Sequence, residues 1–150
     1  MSSTPFGTKL PTQIGMVVHN IEETARAWSL LLGVPCPEII VTDPVELART
    51  EYRGQPTPAR AKLTFFQMGQ VTLELIEPMG EPSTWNDQLA AHGQSLHHIA
   101  FEVKGMAETL SVLAEHGLPL VQRGEYQGGR YAYVDGQQQV GTVIELLEND

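Results

Sequence analysis

The sequence predicts an α+β fold in which two βαβββ modules in tandem form a curved, cup-shaped mixed sheet with helices on its outer face. Three observations support this prediction. A strand–helix pattern at residues 13–25 recurs at residues 98–110, an offset of 85. The segments 71–77 and 142–148 match each other at an offset of 71. Each half also has room for two further strands between its helix and its last strand.

The first strand of each module alternates apolar and polar residues, which is typical of a strand with one packed face. The segment QIGMVVHNIEETA matches HIAFEVKGMAETL, and its apolar residues pair as Ile14 with Ile99, Met16 with Phe101 and Val18 with Val103. An amphipathic helix follows at once in both copies. A chance likeness of two strand–helix units is the alternative, and the matching glutamates of the last strands argue against it.

The ends of the two helices carry capping signals. Asn20 and Glu23 form a capping box before the first helix, and Gly33 is expected to close it. The second helix is predicted at about residues 106–116, with Gly117 closing it. These signals place each helix directly after the first strand of its module.

Two further strands are expected in each module, at about 38–42 and 62–68 in the first and at about 119–124 and 130–135 in the second. The dipeptide Asp135-Gly136 predicts a turn before the last strand. The offset between the modules falls from 85 to 71 because the first has a longer segment at 43–61. Its Pro, Arg and Gly content predicts a loop.

The chain is predicted to form one domain over residues 1–150, because this length suits one packed core and leaves little room for two. Its expected parts are module one at about 11–78, a linker at about 79–96 and module two at about 97–148. In the linker, Ser83 or Thr84 is predicted to cap a short helix that runs through Leu89.

Composition excludes several function classes. The net charge of −9 would repel the phosphate backbone, so no nucleic-acid partner is expected. No stretch is apolar for long enough to span a membrane, so no membrane partner is expected either. Residues 1–13 lack the apolar core of a signal peptide, and the single cysteine, Cys36, rules out an internal disulfide. Both features predict a cytoplasmic protein.

Strand alternation singles out four polar side chains. In the first and last strands of each module, the apolar residues share the face that packs against the helix. The polar residues of the same strands point to the opposite, hollow face, which neither helix is predicted to cover. The residues singled out there are Gln13, Glu74, His98 and Glu145.

These four side chains predict a metal site. Two glutamates in a partly desolvated hollow repel each other, and an unpaired buried carboxylate is costly. A divalent cation removes both costs, with Glu74 and Glu145 supplying anionic oxygens, His98 a nitrogen and Gln13 a carbonyl oxygen. This oxygen-rich set suits Mn, Mg, Co, Ni or Fe better than a structural zinc, and zinc stays among the candidates.

Each residue alone also has a structural explanation. A strand histidine is usually a hydrogen-bonded neighbour, and a glutamate in a strand is often solvated. His97 is expected on the opposite face from His98, in a structural role. The remaining histidines, at the ends of elements, are predicted to be surface or capping residues: His19, His92 and His116.

Four phrases in the chain are similar to those of a known family: QIGMVVHNIE, VTLELIEP, LHHIAFEV and GTVIELLE. The chain resembles the vicinal oxygen chelate superfamily, which includes glyoxalase I and methylmalonyl-CoA epimerase, and the epimerase branch is the nearest match. The resemblance implies metal ligands at Gln13, Glu74, His98 and Glu145. It also implies that the metal binds adjacent substrate oxygens and stabilises an enolate-like intermediate while a base moves a proton.

Two positions depart from the family pattern. The first ligand position usually holds histidine, and here it holds Gln13, whose amide oxygen binds soft metals less well. Epimerases also carry a glutamate that acts as a second acid/base before the last two strands of a module. The corresponding segment here, 57–61, reads TPARA and contains no carboxylate.

The first functional hypothesis is a metal-dependent lyase or isomerase of glyoxalase or epimerase type. It would act through an enolate-type intermediate on a small carbonyl, 2-oxo or acyl-thioester substrate. Glu145 would serve as a ligand and as the catalytic base. An anionic group on the substrate is expected, and the candidates for holding it are Arg60, Arg53, Tyr52 and Tyr133.

The second hypothesis is a metal-free protein that binds or sequesters a small molecule, and Gln13 favours it. An extradiol-type iron dioxygenase fits poorly, because that chemistry uses two histidines and a carboxylate where only His98 is available. A homodimer is expected, because members of the resembled superfamily commonly dimerise and the sheet leaves open edges.

Overall fold

Ten strands and five helices occur in the part of the chain that the computed structural model describes, residues 4–150. The strands are β1 (Gln13–Val17), β2 (Ile40–Val41), β3 (Glu51–Tyr52), β4 (Gln55–Pro56), β5 (Arg60–Met68), β6 (Val71–Met79), β7 (Ser95–Glu102), β8 (Leu120–Tyr126), β9 (Gly129–Val134) and β10 (Val143–Asn149). The helices are α1 (Ile21–Leu32), α2 (Val45–Ala48), α3 (Thr84–His92), α4 (Met106–Glu115) and α5 (Gln137–Val140).

All ten strands belong to one mixed sheet, in the order β2-β5-β6-β1-β7-β10-β9-β8-β3-β4. The first strands of the two modules, β1 and β7, pair antiparallel at its centre. Each also pairs in parallel with the last strand of its own module, β1 with β6 and β7 with β10. The predicted α+β fold with a curled, cup-shaped mixed sheet is confirmed.

Helices α1 and α4 lie on the outer face, as predicted: α1 packs against β5 and β6, and α4 packs against β10. The cluster under α1 contains Val18, Ile21, Ala25, Phe66, Leu73 and Leu75, and the cluster under α4 contains Val103, Met106, Leu113, Ala132, Val134, Ile144 and Leu146. Burial of each large side chain contributes roughly 1.5–3 kcal/mol. This packing fixes which face of each strand is left for the hollow.

The predicted helix caps are in place at α1 and α3. The side chain of Asn20 accepts a hydrogen bond from the backbone N–H of Glu23 at 3.0 Å. Gly33 ends α1 with a φ of +69°, a conformation that costs glycine little. Of the two candidate caps for α3, it is the Ser83 hydroxyl that accepts from a backbone N–H of the helix.

Helix α3 packs against β1, β6 and β7 and closes one end of the hollow. It continues to His92, three residues beyond the predicted end. Its Trp85 is 4% exposed and packs in a cluster with Val17, Ala61, Ile76, Tyr133 and Val143. The linker between the modules therefore supplies part of the wall of the hollow.

The prediction of a loop at 43–61 is wrong, because this segment contains α2 and the two-strand hairpin β3–β4. Strand β3 pairs with β8 of the second module, at the opposite end of the sheet from β2. Residues 42–50 therefore connect the two ends of the curled sheet. Arg53 and Gly54 form the hairpin turn with φ values of +51° and +82°, the pattern of a tight hairpin turn.

The segment between β9 and β10 is also longer than a simple turn. The structure places the four-residue helix α5 after Asp135-Gly136. Within residues 4–150, no helix combines the length and the apolar character needed to cross a bilayer.

Candidate metal centre

The four predicted ligands lie on adjacent strands at the centre of the sheet, which run β6-β1-β7-β10. Gly15 on β1 pairs with both Glu74 and His98. Ala100 on β7 pairs with both Gln13 and Glu145. The repeat therefore brings the four side chains together around two small residues.

His98 lies between the two carboxylates. Its Nε2 atom is 3.0 Å from Oε1 of Glu145 and 3.4 Å from Oε1 of Glu74. The three residues offer potential ligand atoms that all lie within 4.8 Å of one another. They are 1% (His98), 7% (Glu74) and 4% (Glu145) exposed, so water screens their charges weakly.

Four buried polar atoms make no hydrogen bond of good geometry among residues 4–150, although Nε2 of His98 lies at ion-pair distance from both carboxylates, and each of the four belongs to a predicted ligand. They are Oε1 of Gln13, Oε1 of Glu74, Nε2 of His98 and Oε1 of Glu145. Native proteins leave few buried polar atoms without a hydrogen bond, so a group of four such atoms fits a site that could hold an ion. Three oxygens and one imidazole nitrogen fit a divalent cation.

The charges of His98, Glu74 and Glu145 also favour a divalent cation at this site. Burial lowers the pKa of His98, but the carboxylates of Glu145 and Glu74 outweigh this effect and raise it to about 10. Burial raises the pKa of Glu145, against the opposing effect of the His98 charge. Without another cation, a proton on His98 therefore balances part of the carboxylate charge. A divalent cation held by these residues would supply that balance instead.

The His98 ring has room because residue 15 is glycine. A Cβ atom at this position would lie 2.1 Å from Cε1 of the ring and 2.6 Å from Nε2. Gly15 is therefore required by the close approach of the imidazole to β1. The sequence shows this glycine, but only the strand register shows what it accommodates.

His97 is not on the face opposite to His98, and that prediction is wrong. Gly15 pairs with His98 whereas Met16 pairs with Leu96, so a β-bulge leaves His97 without a partner on β1. The bulge brings the His97 ring to a centroid distance of 4.9 Å from Tyr133, which lines the cavity. Strict alternation along a strand cannot predict such a bulge.

The other three histidines are exposed, as predicted. The backbone N–H of His19 donates to the side chain of Gln94. His92 is the last residue of α3, and His116 is the C-cap of α4. None of these three histidines lines the cavity on the hollow face of the sheet.

The hollow contains a cavity of about 560 Å³, within the usual size range of small-molecule sites. Its aromatic walls are Phe65, Trp85, Tyr126, Tyr131 and Tyr133, and its carboxylates are Asp43, Glu74, Glu102, Glu125 and Glu145. Gln13 lines it as well. Among the described residues, no lysine or arginine lines this cavity.

Of the four residues predicted to hold an anionic substrate group, Tyr133 lines the cavity and three do not. Arg60 donates to the carbonyl of Thr42, and Arg53 donates to the hydroxyl of Tyr52. Tyr131 was missed, although it follows from the alternation that places Ala132 and Val134 in the outer cluster. The alternation of β9 puts Tyr131 on the same face as Tyr133.

A family model for the Glyoxalase/Bleomycin resistance protein/Dioxygenase superfamily matches residues 12–134. The chain belongs to this superfamily. The resemblance to the vicinal oxygen chelate proteins is therefore confirmed. The matched range includes Gln13, Glu74 and His98 and ends before Glu145.

One relative and two solved structures illustrate the likeness. The uncharacterized protein YqjC of Bacillus subtilis is 36% identical over 138 residues, 90% of this chain and 89% of the relative. Hypothetical protein BH1468 from Bacillus halodurans C-125 has a TM-score of 0.66 at 22% identity, covering 95% of this chain and 94% of that one. Methylmalonyl-CoA epimerase from Streptomyces coelicolor, in complex with 2-nitronate-propionyl-CoA, has a TM-score of 0.63 at 20% identity, covering 94% and 97%. The two structural matches show the fold alone.

Proposed function

We propose that this protein is a metal-dependent lyase or isomerase of glyoxalase or epimerase type, acting on a small carbonyl, 2-oxo or acyl-thioester substrate. One observation supports it above all. Ligand atoms of Glu74, His98 and Glu145 lie within 4.8 Å of one another, and Glu74, Glu145 and Gln13 line a cavity of about 560 Å³. Without a metal, two carboxylates buried beside a single imidazole are costly, because one positive charge balances only one of them.

The same four residues would hold the ion, which we propose to be Mn, Co, Ni, Mg, Fe or Zn in the divalent state. Their donor set is rich in oxygen, which favours the harder members of that list. When bound, the ion supplies a positive charge that stabilises the negative charge developing on substrate oxygens as a proton leaves the adjacent carbon.

Glu145 is the proposed proton acceptor. It borders the cavity and is 4% exposed, so its carboxylate is held away from bulk water. A carboxylate has two oxygens, so one can bind a cation while the other reaches a substrate proton. The aromatic rings of Trp85, Tyr131 and Tyr133 line the same cavity and exclude water from the transfer.

The segment 57–61 supplies no second acid or base. The Thr57 hydroxyl donates to the carbonyl of Pro82 at 2.7 Å, and Ala59 and Ala61 are buried. A one-base isomerase or lyase needs no second residue of this kind. A two-base epimerase would need its second acid or base from another carboxylate of the lining, Asp43, Glu102 or Glu125.

The proposed substrate is a small molecule whose anionic or carbonyl oxygens contact the metal. The lining offers no lysine or arginine among the described residues, so the ion would be the main attraction for an anionic group. The epimerase from Streptomyces coelicolor was crystallised with an acyl-CoA compound, which keeps acyl-thioesters among the candidates. A homodimer and a cytoplasmic location stay predictions.

Deuterium exchange tests the proposed chemistry. The chain, loaded with Mg²⁺ or Mn²⁺, would be incubated in D₂O with a panel of 2-oxo acids and acyl-thioesters, and mass spectrometry would follow label at the carbon beside the carbonyl. We expect label only with metal present, none with Glu145→Gln, and unchanged label with Glu108→Gln, an exposed residue of α4. Exchange that survives a chelator or the Glu145→Gln change would contradict the proposal.

A metal-free binding protein is the second candidate, and Gln13 at the first ligand position favours it. It predicts that a bound aromatic or carbonyl compound is retained by the double variant Glu74→Gln/Glu145→Gln. The metal-dependent function predicts that binding of the same compound is lost in that variant. Isothermal titration of both proteins separates the two.

A further inference from the structure

His97 is a buried titratable residue that the proposed ligand set does not use. It is 1% exposed and occupies the β-bulge on β7, where it has no partner on β1. A bulge interrupts a ladder and redirects a side chain, and such features are often found beside functional sites. The contacts of the His97 ring therefore indicate its role.

Both ring nitrogens of His97 have polar neighbours. Nδ1 lies 2.8 Å from Nδ1 of His98, and Nε2 lies 3.1 Å from the hydroxyl oxygen of Thr84. The two imidazoles are perpendicular, with centroids 5.1 Å apart. Thr84 is itself fixed, because its backbone N–H donates to Oε1 of Gln122 at 2.8 Å. These contacts join His98 to the first turn of α3.

Only one assignment of protons suits this chain of contacts when His98 binds a cation. Nε2 of His98 faces Glu74 and Glu145, so this nitrogen must be bare to act as a ligand. The His98 proton then lies on Nδ1 and is donated to Nδ1 of His97. His97 must therefore carry its own proton on Nε2 and donate it to Thr84.

We propose that His97 is a positioning residue, which accepts the Nδ1–H of His98 and so holds Nε2 of His98 towards the metal site. This inference rests on the proposed function, since it gives His98 a cation to bind. Ligand histidines usually donate their second N–H to a carboxylate, a carbonyl or water. Here a neutral imidazole accepts it, which adds no further negative charge to a site that already has two carboxylates.

Two substitutions separate this role from simple packing. His97→Phe keeps an aromatic ring and removes the acceptor, whereas His97→Asn keeps a polar atom near the position of Nδ1. We expect His97→Phe to weaken Co²⁺ binding by about 10- to 100-fold, and His97→Asn to recover most of that loss. Isothermal titration with Co²⁺ gives the affinities, and thermal unfolding without metal shows whether each variant is folded.

A spectroscopic measurement on the unaltered chain does not depend on the variants folding. Nitrogen-15 spectra of the metal-free protein are expected to show His97 with a bare Nδ1 and a protonated Nε2, and a proton on Nδ1 of His98. A proton on Nδ1 of His97 would overturn the inference. So would equal Co²⁺ affinity in His97→Phe and the unaltered protein. An unaltered chain that binds no Co²⁺ would overturn the proposed function and this role together.

Discussion

The two halves of the molecule place different residues at the same position of the repeat. In the second module the proposed ligand is His98, and the residue beside it on the neighbouring strand is Gly15. In the first module the proposed ligand is Gln13, and the residue beside it is Ala100, which is fully buried. A Cβ atom on residue 15 would lie 2.1 Å from Cε1 of His98, so the imidazole occupies the space that a side chain there would need. Ala100 carries a methyl group at the corresponding position of the repeat.

This difference offers a physical reason for the glutamine at position 13. The His98 imidazole comes so close to β1 that it needs a residue without a side chain at position 15. A slimmer amide can reach the same centre past a methyl group. We therefore expect space on the central strands to influence which side chain each module can offer as a ligand, in addition to the chemistry of that side chain.

The largest expected effect comes from making the second module like the first, with His98→Gln. Without the imidazole, the carboxylates of Glu74 and Glu145 face each other in a buried site. Leaving buried charge without its partner is expected to lower the free energy of unfolding by about 3 kcal/mol. Urea unfolding with a chelator present measures this loss, and His19→Gln, at an exposed position, serves as the control. A loss within about 0.5 kcal/mol would contradict the account.

The next effect comes from filling the space beneath the ring, with Gly15→Ala. The new methyl group overlaps His98, so the ring must move, at a cost of about 1–3 kcal/mol. We expect Co²⁺ binding to weaken with it. The reciprocal change, Ala100→Gly, should cost only about 1 kcal/mol and leave Co²⁺ binding intact. Equal Co²⁺ affinities for both variants in isothermal titration would show that His98 does not need the space at Gly15.

A smaller change, of opposite sign, is expected from Glu145→Gln in the metal-free protein. The substitution removes one of two carboxylates that share a single imidazole, so repulsion falls. We expect the free energy of unfolding to rise by up to about 1 kcal/mol with a chelator present. With saturating Mn²⁺ the same variant should be less stable than the unaltered chain. Destabilisation under both conditions would mean that the ion pair with His98 outweighs the repulsion.

The smallest effect is expected from making the first module like the second. Gln13→His alone is expected to gain little Ni²⁺ affinity, because residue 13 is paired with Ala100, whereas His98 is paired with a glycine, Gly15. The double variant Gln13→His/Ala100→Gly should favour Ni²⁺ over Mg²⁺ by about tenfold more than the unaltered chain, which corresponds to about 1.4 kcal/mol. A full gain from Gln13→His alone would show that Ala100 does not exclude an imidazole.

The long periodic elements and the repeat could be predicted from the sequence. Alternation places Leu73 and Leu75 in the outer cluster, and the structure confirms this. The same alternation leaves Glu74 and Glu145 for the hollow, where both line the cavity. That these side chains bind a metal stays a prediction, although Glu74, His98 and Glu145 offer ligand atoms within 4.8 Å of one another.

The features that could not be predicted depend on register or on very short elements. The bulge at His97 is a property of the pairing between β1 and β7, which no periodicity in β7 reveals. Strands β3 and β4 have two residues each, too few to show alternation. The hairpin turn at Arg53-Gly54 lacks the Asn-Gly or Asp-Gly pair that marks such turns in a sequence. Contacts distant in the chain decide all three.

Metal stoichiometry tests the central claim most directly. Metal-free protein would be titrated with Mn²⁺, Co²⁺ and Ni²⁺ beside the double variant Glu74→Gln/Glu145→Gln, and bound metal measured by elemental analysis after gel filtration. The account predicts about one equivalent per chain for the unaltered protein and less than about a tenth for the double variant. Less than about a tenth of an equivalent of every metal on the unaltered protein, or equal binding by the double variant, would contradict it.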